Sequence, residues 1–346
     1  MLPLPIVTEV PAARFARMTK GVNLSHWWAQ NGDYSTERLR RDVTRADFDQ
    51  LVRSGFRHVR LTLAPEALDG DGKTALLREK IEDAHDAGLA VIVDCHPEDG
   101  YKNEVKKDSG AWIAWWGNLA KELKGEDPNT TFFEPMNEPT FDDAAKWRET
   151  QRLAIDAIRK YAPRHTVIAS GAKWSGLADL LTFEPYKDLD NVVYNFHFYD
   201  PFVFTHQGAT WGWELSKFMK DVPYPSSPEA VRSVLPKIDN EEARKVIDGY
   251  GNERWNAQKI EDNLRKAQEW GRRNKVYVTC NEFGSYKSFA PSESRTAWIK
   301  DTRAALDKLG IGWTMWDYQG GFGAFSGNPG NRNGDSNVLS ALGLGG

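Results

Sequence analysis

The sequence predicts an α/β fold: a single (β/α)8 TIM barrel with enlarged βα loops after strands 6 and 8. Three observations predict it. Eight short apolar segments, rich in Val, Ile and aromatic residues, alternate with stretches of helical periodicity from residue 20 onward, as repeated βα units do. A length of 346 residues is large for an ordinary domain but usual for a barrel with long loops. The first strand is followed by "HWWAQNGDY", without the glycine fingerprint a doubly wound nucleotide-binding sheet carries there.

In chain order the strands are "GVNLS" (21–25), "HVRLTL" (58–63), "AVIVDCH" (90–96), "TFFEPMN" (131–137), "TVIAS" (166–170), "VVYNFHFY" (192–199), "KVYVTCNEF" (275–283) and "IGWTMWDY" (311–318). Between them lie periodic stretches such as "ADFDQLVRSG", "LLREKIEDAHDAG" and "RTAWIKDTRAALDKLG", several ending in the glycine common just past a helix C-terminus. Only "GLADLLTFEPYKDL", between strands 5 and 6, is weakly helical. The long excursions, about 200–258 and "QGGFGAFSGNPGNRNGDS", fall in βα loops, which build the functional face of such barrels. No linker divides the chain, so residues 1–346 read as one domain with a 1–18 N-terminal extension.

Bulk properties exclude several classes of function. A net charge of −4 without a basic block recommends neither nucleic acid nor an anionic membrane as partner. Two cysteines make neither a disulfide framework nor a zinc site. Strict alternation puts Cys280 on the face of Glu282 and turns Cys95 away from His96, so both thiols are expected free. No segment resembles a leader or a membrane span. The chain reads as soluble, and as a monomer; a secreted protein without its leader reads the same, and secretion is favoured over a cytoplasmic location.

Polar residues gather at the C-terminal strand ends: Arg60, Asp94 and His96, Asn137 and Glu138, His197 and Tyr199, Asn281 and Glu282, and Trp316. One such residue is ordinarily a capped turn. A ring of them is stable only as a mutual network, because an unpaired buried polar group costs a few kcal/mol, and such networks are how active sites are built. Glu138 and Glu282 emerge on opposite sides of the mouth, where two carboxyls can lie about 5–5.5 Å apart, the spacing of retaining glycosidases. Arg60 can keep one carboxylate ionised, so Glu138 is expected to have a raised pKa and Glu282 not. Glu134 alternates onto Glu138's face deeper in the barrel, where Arg60 is its expected partner. A divalent ion held by His96, His197, Glu138 and Glu282 is the chemical alternative, although their spacing follows no familiar ligand pattern.

The 14 tryptophans bear on substrate, since the apolar faces of sugars pack on indole rings. Trp27, Trp28, Trp174, Trp211, Trp213 and Trp316 fall in loops or at strand ends and are candidate platforms. Trp112, Trp115 and Trp116 have the spacing of a helix core stripe. His26 and His206 stand in βα loops, His58 at the opposite end of the barrel, and His85 and His165 at surface or helix-end positions.

Six motifs in order resemble glycoside hydrolase family 5, the barrel family of cellulases and mannanases: "GFRHVRLTL", "VIVDCH", "FFEPMNEP", "FHFY", "NEFG" and "TMWDYQGGFG". The resemblance spans nearly the whole chain. It implies a single catalytic domain and a retaining mechanism without metal or organic cofactor. Glu138 of Asn-Glu-Pro would be acid/base and Glu282 nucleophile. Arg60, His96, Asn137, His197, Tyr199, Trp316 and Trp28 would support or bind a β-linked oligo- or polysaccharide. The favoured expectation is an endo-β-1,4-glucanase. Mannanase, lichenase and other activities of the family are alternatives, and a non-catalytic carbohydrate-binding barrel is the alternative of another class.

Overall fold

In the computed structural model, which describes residues 10–345, eight parallel strands close into a barrel in sequential order, β1 pairing with both β2 and β8. The strands are β1 (Gly21–Trp28), β2 (His58–Leu63), β3 (Ala90–Cys95), β4 (Thr131–Glu134), β5 (Thr166–Ser170), β6 (Val192–Phe198), β7 (Val278–Phe283) and β8 (Gly312–Met315). They coincide with the eight apolar segments. β4 and β8 are shorter than expected because Asn137–Glu138 and Trp316–Asp317 have already left the ladder for the mouth. All eight are buried on both faces, as a parallel sheet wrapped by helices requires.

The helical layer follows the periodic stretches. Arg45–Ser54 is typical: a reciprocal capping box between Thr44 and Asp47 opens it, and Gly55, at φ 102°, closes it. The connection after β5 holds only the six-residue helix Leu177–Thr182. The excursion after β6 contains a full helix, Glu241–Glu253, that the sequence pass left as loop; Asn240 caps it by accepting from the Ala243 N–H. The loop after β8 folds into a hairpin, β9 (Phe325–Asn328) with β10 (Asn331–Gly334).

Of the expected 1–18 extension, residues 1–9 lie outside the described residues. The remainder forms two short turns, Ala12–Phe15 and Ala16–Met18, and plugs the bottom of the barrel. Val10, Phe15 and Met18 pack against Ala90, Ile92, Phe132, Ile168 and Val193. Arg14 fastens the plug by donating to the Arg164 carbonyl and to Asn129 Oδ1. His58 is buried at this end, 2.8 Å from Thr314 Oγ1. His165, expected near the surface, is buried, with Nε2 3.1 Å from the Glu126 carbonyl.

Both cysteines are free and buried. Cys280, however, does not share the face of Glu282. The β7–β8 register shifts between Cys280 and Phe283, and the bulge lets Asn281 and Glu282 both reach the barrel centre while Cys280 joins the outer core. Among the described residues no helix is long and apolar enough to cross a membrane.

Candidate active site

The strand ends converge on one buried cation. Arg60, from the middle of β2, is completely buried and has two parallel bonds to Glu134, each 2.9 Å. It also reaches Asp94 at 3.0 Å, Glu282 Oε1 at 2.8 Å, Asn23 Oδ1 at 2.8 Å and Asn137 Oδ1 at 2.9 Å. Glu134 is completed by Asn195 at 3.1 Å and Asn281 at 2.7 Å. Its four acceptor positions are thus filled, as the expectation of a paired Glu134 required. Burial still raises the Glu134 carboxyl, with Arg60 acting against it. A guanidinium suits this place because its planar fork serves several acceptors at once and stays charged.

Above this layer stand the carboxyls of Glu138 and Glu282. Together with a ring nitrogen of His197, one oxygen from each lies within a 4.8 Å circle. His197 Nδ1 is 2.8 Å from Glu138 Oε1 and 3.5 Å from Glu282 Oε2. Tyr199 donates its hydroxyl to Glu282 Oε2 at 2.9 Å. Glu138 sits in the left-handed region at φ 45°, a conformation held by its surroundings rather than by local preference.

Burial pushes both carboxyls upward, so the expectation that only Glu138 is raised is not met. What differs is the compensation. Glu282 has burial opposed by His197, by Arg60 and by the Tyr199 hydroxyl, with Glu138 adding to the rise. Glu138 has burial opposed by more distant cations, Lys102 first, and its one direct partner is His197. Burial also holds His197 down to about 4, hence neutral near pH 7.

Around the pair, His96 lies with Nδ1 2.8 Å from Asp94 Oδ2 and Nε2 3.2 Å from Asn137 Nδ2. Burial keeps this imidazole neutral, so Nδ1–H donates to Asp94 and Nε2 accepts from Asn137. That fixes the Asn137 amide and leaves its second N–H for a ligand. Trp316 stacks on the His96 ring, centroids 5.6 Å apart and planes 12° from parallel, and is 8% exposed. An ideal Cβ on Gly284 would lie 2.2 Å from the Trp316 carbonyl oxygen; only glycine lets the strand-7 loop pass so close.

Arg60, His96, Asn137, Glu138, His197, Tyr199, Glu282 and Trp316 therefore meet at one mouth. Trp28 does not. It is fully buried, edge-on to Trp27, because β1 runs on to Trp28 and, through an irregularity after Leu24, pairs it with Leu63. Both tryptophans thereby enter the layer between sheet and helices. His206 is likewise buried, stacked on Phe202 at 3.7 Å. Trp174 and Trp211 are 59% and 50% exposed.

Asn23, Asn195 and Asp317 escaped the sequence reading. The first two could have been found as inward polar residues on otherwise apolar strands. Asp317 could not, since its neighbours are distant in sequence: Ser25 donates to its Oδ2 at 2.6 Å, and burial pushes it up to about 7. As metal ligands the mouth residues are poorly available. Both Glu282 oxygens are taken by Arg60 and Tyr199, and both His96 nitrogens are engaged.

The profile described as Cellulase (glycosyl hydrolase family 5) matches residues 16–321. Endoglucanase C of Acetivibrio thermocellus is 27% identical over 316 residues, 86% of this chain and 90% of that protein. Cellodextrinase A of Ruminococcus flavefaciens is 29% identical over 311 residues, 84% and 83%. Endoglucanase 3 of Fibrobacter succinogenes is 27% identical over 335 residues, and this chain spans 50% of its length. The crystal structure of endoglucanase Cel5A from Thermotoga maritima superposes with a TM-score of 0.79 at 24% identity, covering 95% of this chain and 98% of that one. With a family match across most of its length and a closed barrel carrying two opposed glutamates, the chain belongs to glycosyl hydrolase family 5.

Proposed function

We propose that this chain is a retaining β-glycoside hydrolase acting within β-1,4-linked glucan, an endo-β-1,4-glucanase. Glu138 is its acid/base and Glu282 its nucleophile. The observation that carries the reading is the carboxyl pair, with ligating oxygens within 4.8 Å. Inverting enzymes hold their carboxyls about 6.5–9.5 Å apart to admit a water between acid and base; a pair this close favours direct attack.

In the first step a Glu282 oxygen attacks the anomeric carbon while Glu138 gives its proton to the departing glycosidic oxygen. The C–O bond to the leaving sugar breaks and a glycosyl ester forms. In the second step Glu138, now a carboxylate, takes a proton from water, the water oxygen bonds the anomeric carbon, and Glu282 departs. Arg60 and Tyr199 suit Glu282 for this because both favour its charged form, and two donors on a leaving carboxylate ease the second step. Burial keeps a proton on Glu138 for the first. Asn137 is placed to bond a sugar hydroxyl, and Trp316 to floor the reacting ring.

Relatives named endoglucanase and cellodextrinase favour β-1,4-glucan over mannan or mixed-linkage glucan, which the same residues could cleave. Every member of the constellation is present, which favours hydrolysis over mere binding. The site draws on one chain, which supports action as a monomer and residues 1–346 as one catalytic domain.

The test separates the two glutamates. Glu138→Ala should still cleave an aryl β-cellobioside with a good leaving group, then stall as glycosyl-enzyme for want of a base. Azide needs none, and should accelerate turnover and give a β-glycosyl azide. Glu282→Ala should give only α azide, by a single displacement. An α product from Glu138→Ala, or an inverted sugar from the wild type, overturns the mechanism.

A further inference from the structure

Beyond the mouth, an aromatic file leads away from the carboxyl pair. The Tyr199 ring, whose hydroxyl bonds Glu282, lies edge-on to Phe322 at 6.1 Å, Phe322 is 5.6 Å from Tyr286, and Tyr286 is edge-on to Trp211 at 5.0 Å and 6.2 Å from Phe289. Four loop segments supply these rings: Tyr199 and Trp211 follow β6, Tyr286 and Phe289 follow β7, and Phe322 follows β8. The inner members are buried or nearly so, whereas Trp211 and Phe289 are 50% and 43% exposed.

The outer rings are held there by the backbone. Tyr286 N–H donates to the Thr205 carbonyl at 2.8 Å, Lys287 N–H to the Gly321 carbonyl at 2.9 Å, and Asp221 N–H to the Phe289 carbonyl at 3.1 Å. Phe289 lies directly on Gly208, whose φ is +79°; an ideal Cβ there would meet the ring at 2.0 Å. A Cβ on Gly321 would come within 2.4 Å of the Tyr286 ring. Main-chain bonds and glycine contacts thus mate the three loops and present Trp211 and Phe289 to solvent as a fixed ledge. Burying these rings against protein would recover their apolar area; a contiguous exposed aromatic ledge beside a cleft is the kind of surface that marks a ligand groove.

We propose that Trp211, Tyr286 and Phe289 form a distal subsite on which a sugar of the same glycan chain packs while another unit occupies the Glu138–Glu282 centre. This rests on the glycosidase reading and extends it. The occupant is a linear β-glycan, because the ledge is continuous, ring by ring, with the side chain that bonds Glu282. Three ring-to-ring steps separate the ledge from that residue, so a short oligosaccharide seated at the centre does not reach it. Binding energy from the ledge should therefore appear only with longer chains, which gives the enzyme a preference for the interior of a polymer.

The experiment measures kcat/KM across a ladder of oligosaccharides, from three to six units, of whichever β-linked backbone the wild type cleaves. Stacking of this kind corresponds to about 3- to 10-fold in affinity. Trp211→Ala should lower the hexasaccharide-to-trisaccharide ratio by that factor, mostly through KM. Trp211→Phe, keeping a ring, should restore most of it, and Phe289→Ala should act in the same direction. An equal loss at every chain length, or no loss, overturns the subsite while leaving the glycosidase reading intact. A wild type that cleaves no oligosaccharide defeats that reading instead. The ledge is then tested by hexasaccharide Kd, which Trp211→Ala must weaken against wild type for the subsite to stand.

Discussion

Replacing Tyr199 by Phe removes one hydrogen bond and nothing else of size. The hydroxyl donates at 2.9 Å to Glu282 Oε2, while the ring keeps its contacts with His206 and Phe322. A hydrogen bond to a charged group is worth about 1.5–3 kcal/mol. The Tyr199 bond favours the charged form of Glu282, so deleting it raises the nucleophile's pKa further. At 1.36 kcal/mol per unit the shift should be about 1–2 units. It falls short of more because Arg60 remains on Oε1 at 2.8 Å. Near neutral pH, the same bond should also stabilise Glu282 as it departs from the glycosyl ester, so turnover should fall by about 10- to 100-fold. The assay is the pH dependence of kcat/KM on an aryl β-cellobioside, expected to be bell-shaped with limbs that belong to the coupled pair. In Tyr199→Phe the acidic limb should move to higher pH, with the melting temperature little changed. An acidic limb that stays in place, with near-normal turnover, would show that Glu282 does not depend on this donor and that the division of roles drawn from it is wrong.

Asp317→Asn should alter how stability varies with pH. Burial holds the folded carboxyl up at about 7, against about 3.9 when unfolded. Between these values the folded state binds the proton more tightly, so the wild type loses stability as pH rises from about 4 to 7. Asn is neutral throughout, so the variant's melting temperature should gain on the wild type between pH 5 and 8; a constant difference would refute the buried titration. Prolonged EDTA treatment should leave turnover on the aryl cellobioside unchanged, because the two carboxyls carry the chemistry. Activity lost on chelation and restored by zinc or manganese would instead promote Glu138, His197 and Glu282, whose ligand atoms lie within 4.8 Å, to a metal site.

By itself the sequence determined the barrel, its eight strands and the ring of polar strand ends, because each rests on local periodicity: alternation ends where a strand ends, and Arg60, Asn137, Glu138 and Glu282 stand there by position. It even indicated the Arg60–Glu134 pair, since a buried acid on an inward face needs a cation. Tertiary structure alone decided what breaks periodicity. A bulge in β7 turned Cys280 outward and brought Asn281 and Glu282 inward together, and no residue-by-residue alternation contains a bulge. Trp28 looked like a loop platform until β1 ran on to include it and buried it. The helix Glu241–Glu253 was hidden in a segment read as loop. Asp317 beneath Ser25 and the ledge of Trp211, Tyr286 and Phe289 join loops far apart in the chain. Their order comes from main-chain bonds and glycine contacts between those loops, which form only once the barrel has brought the strand ends to one rim.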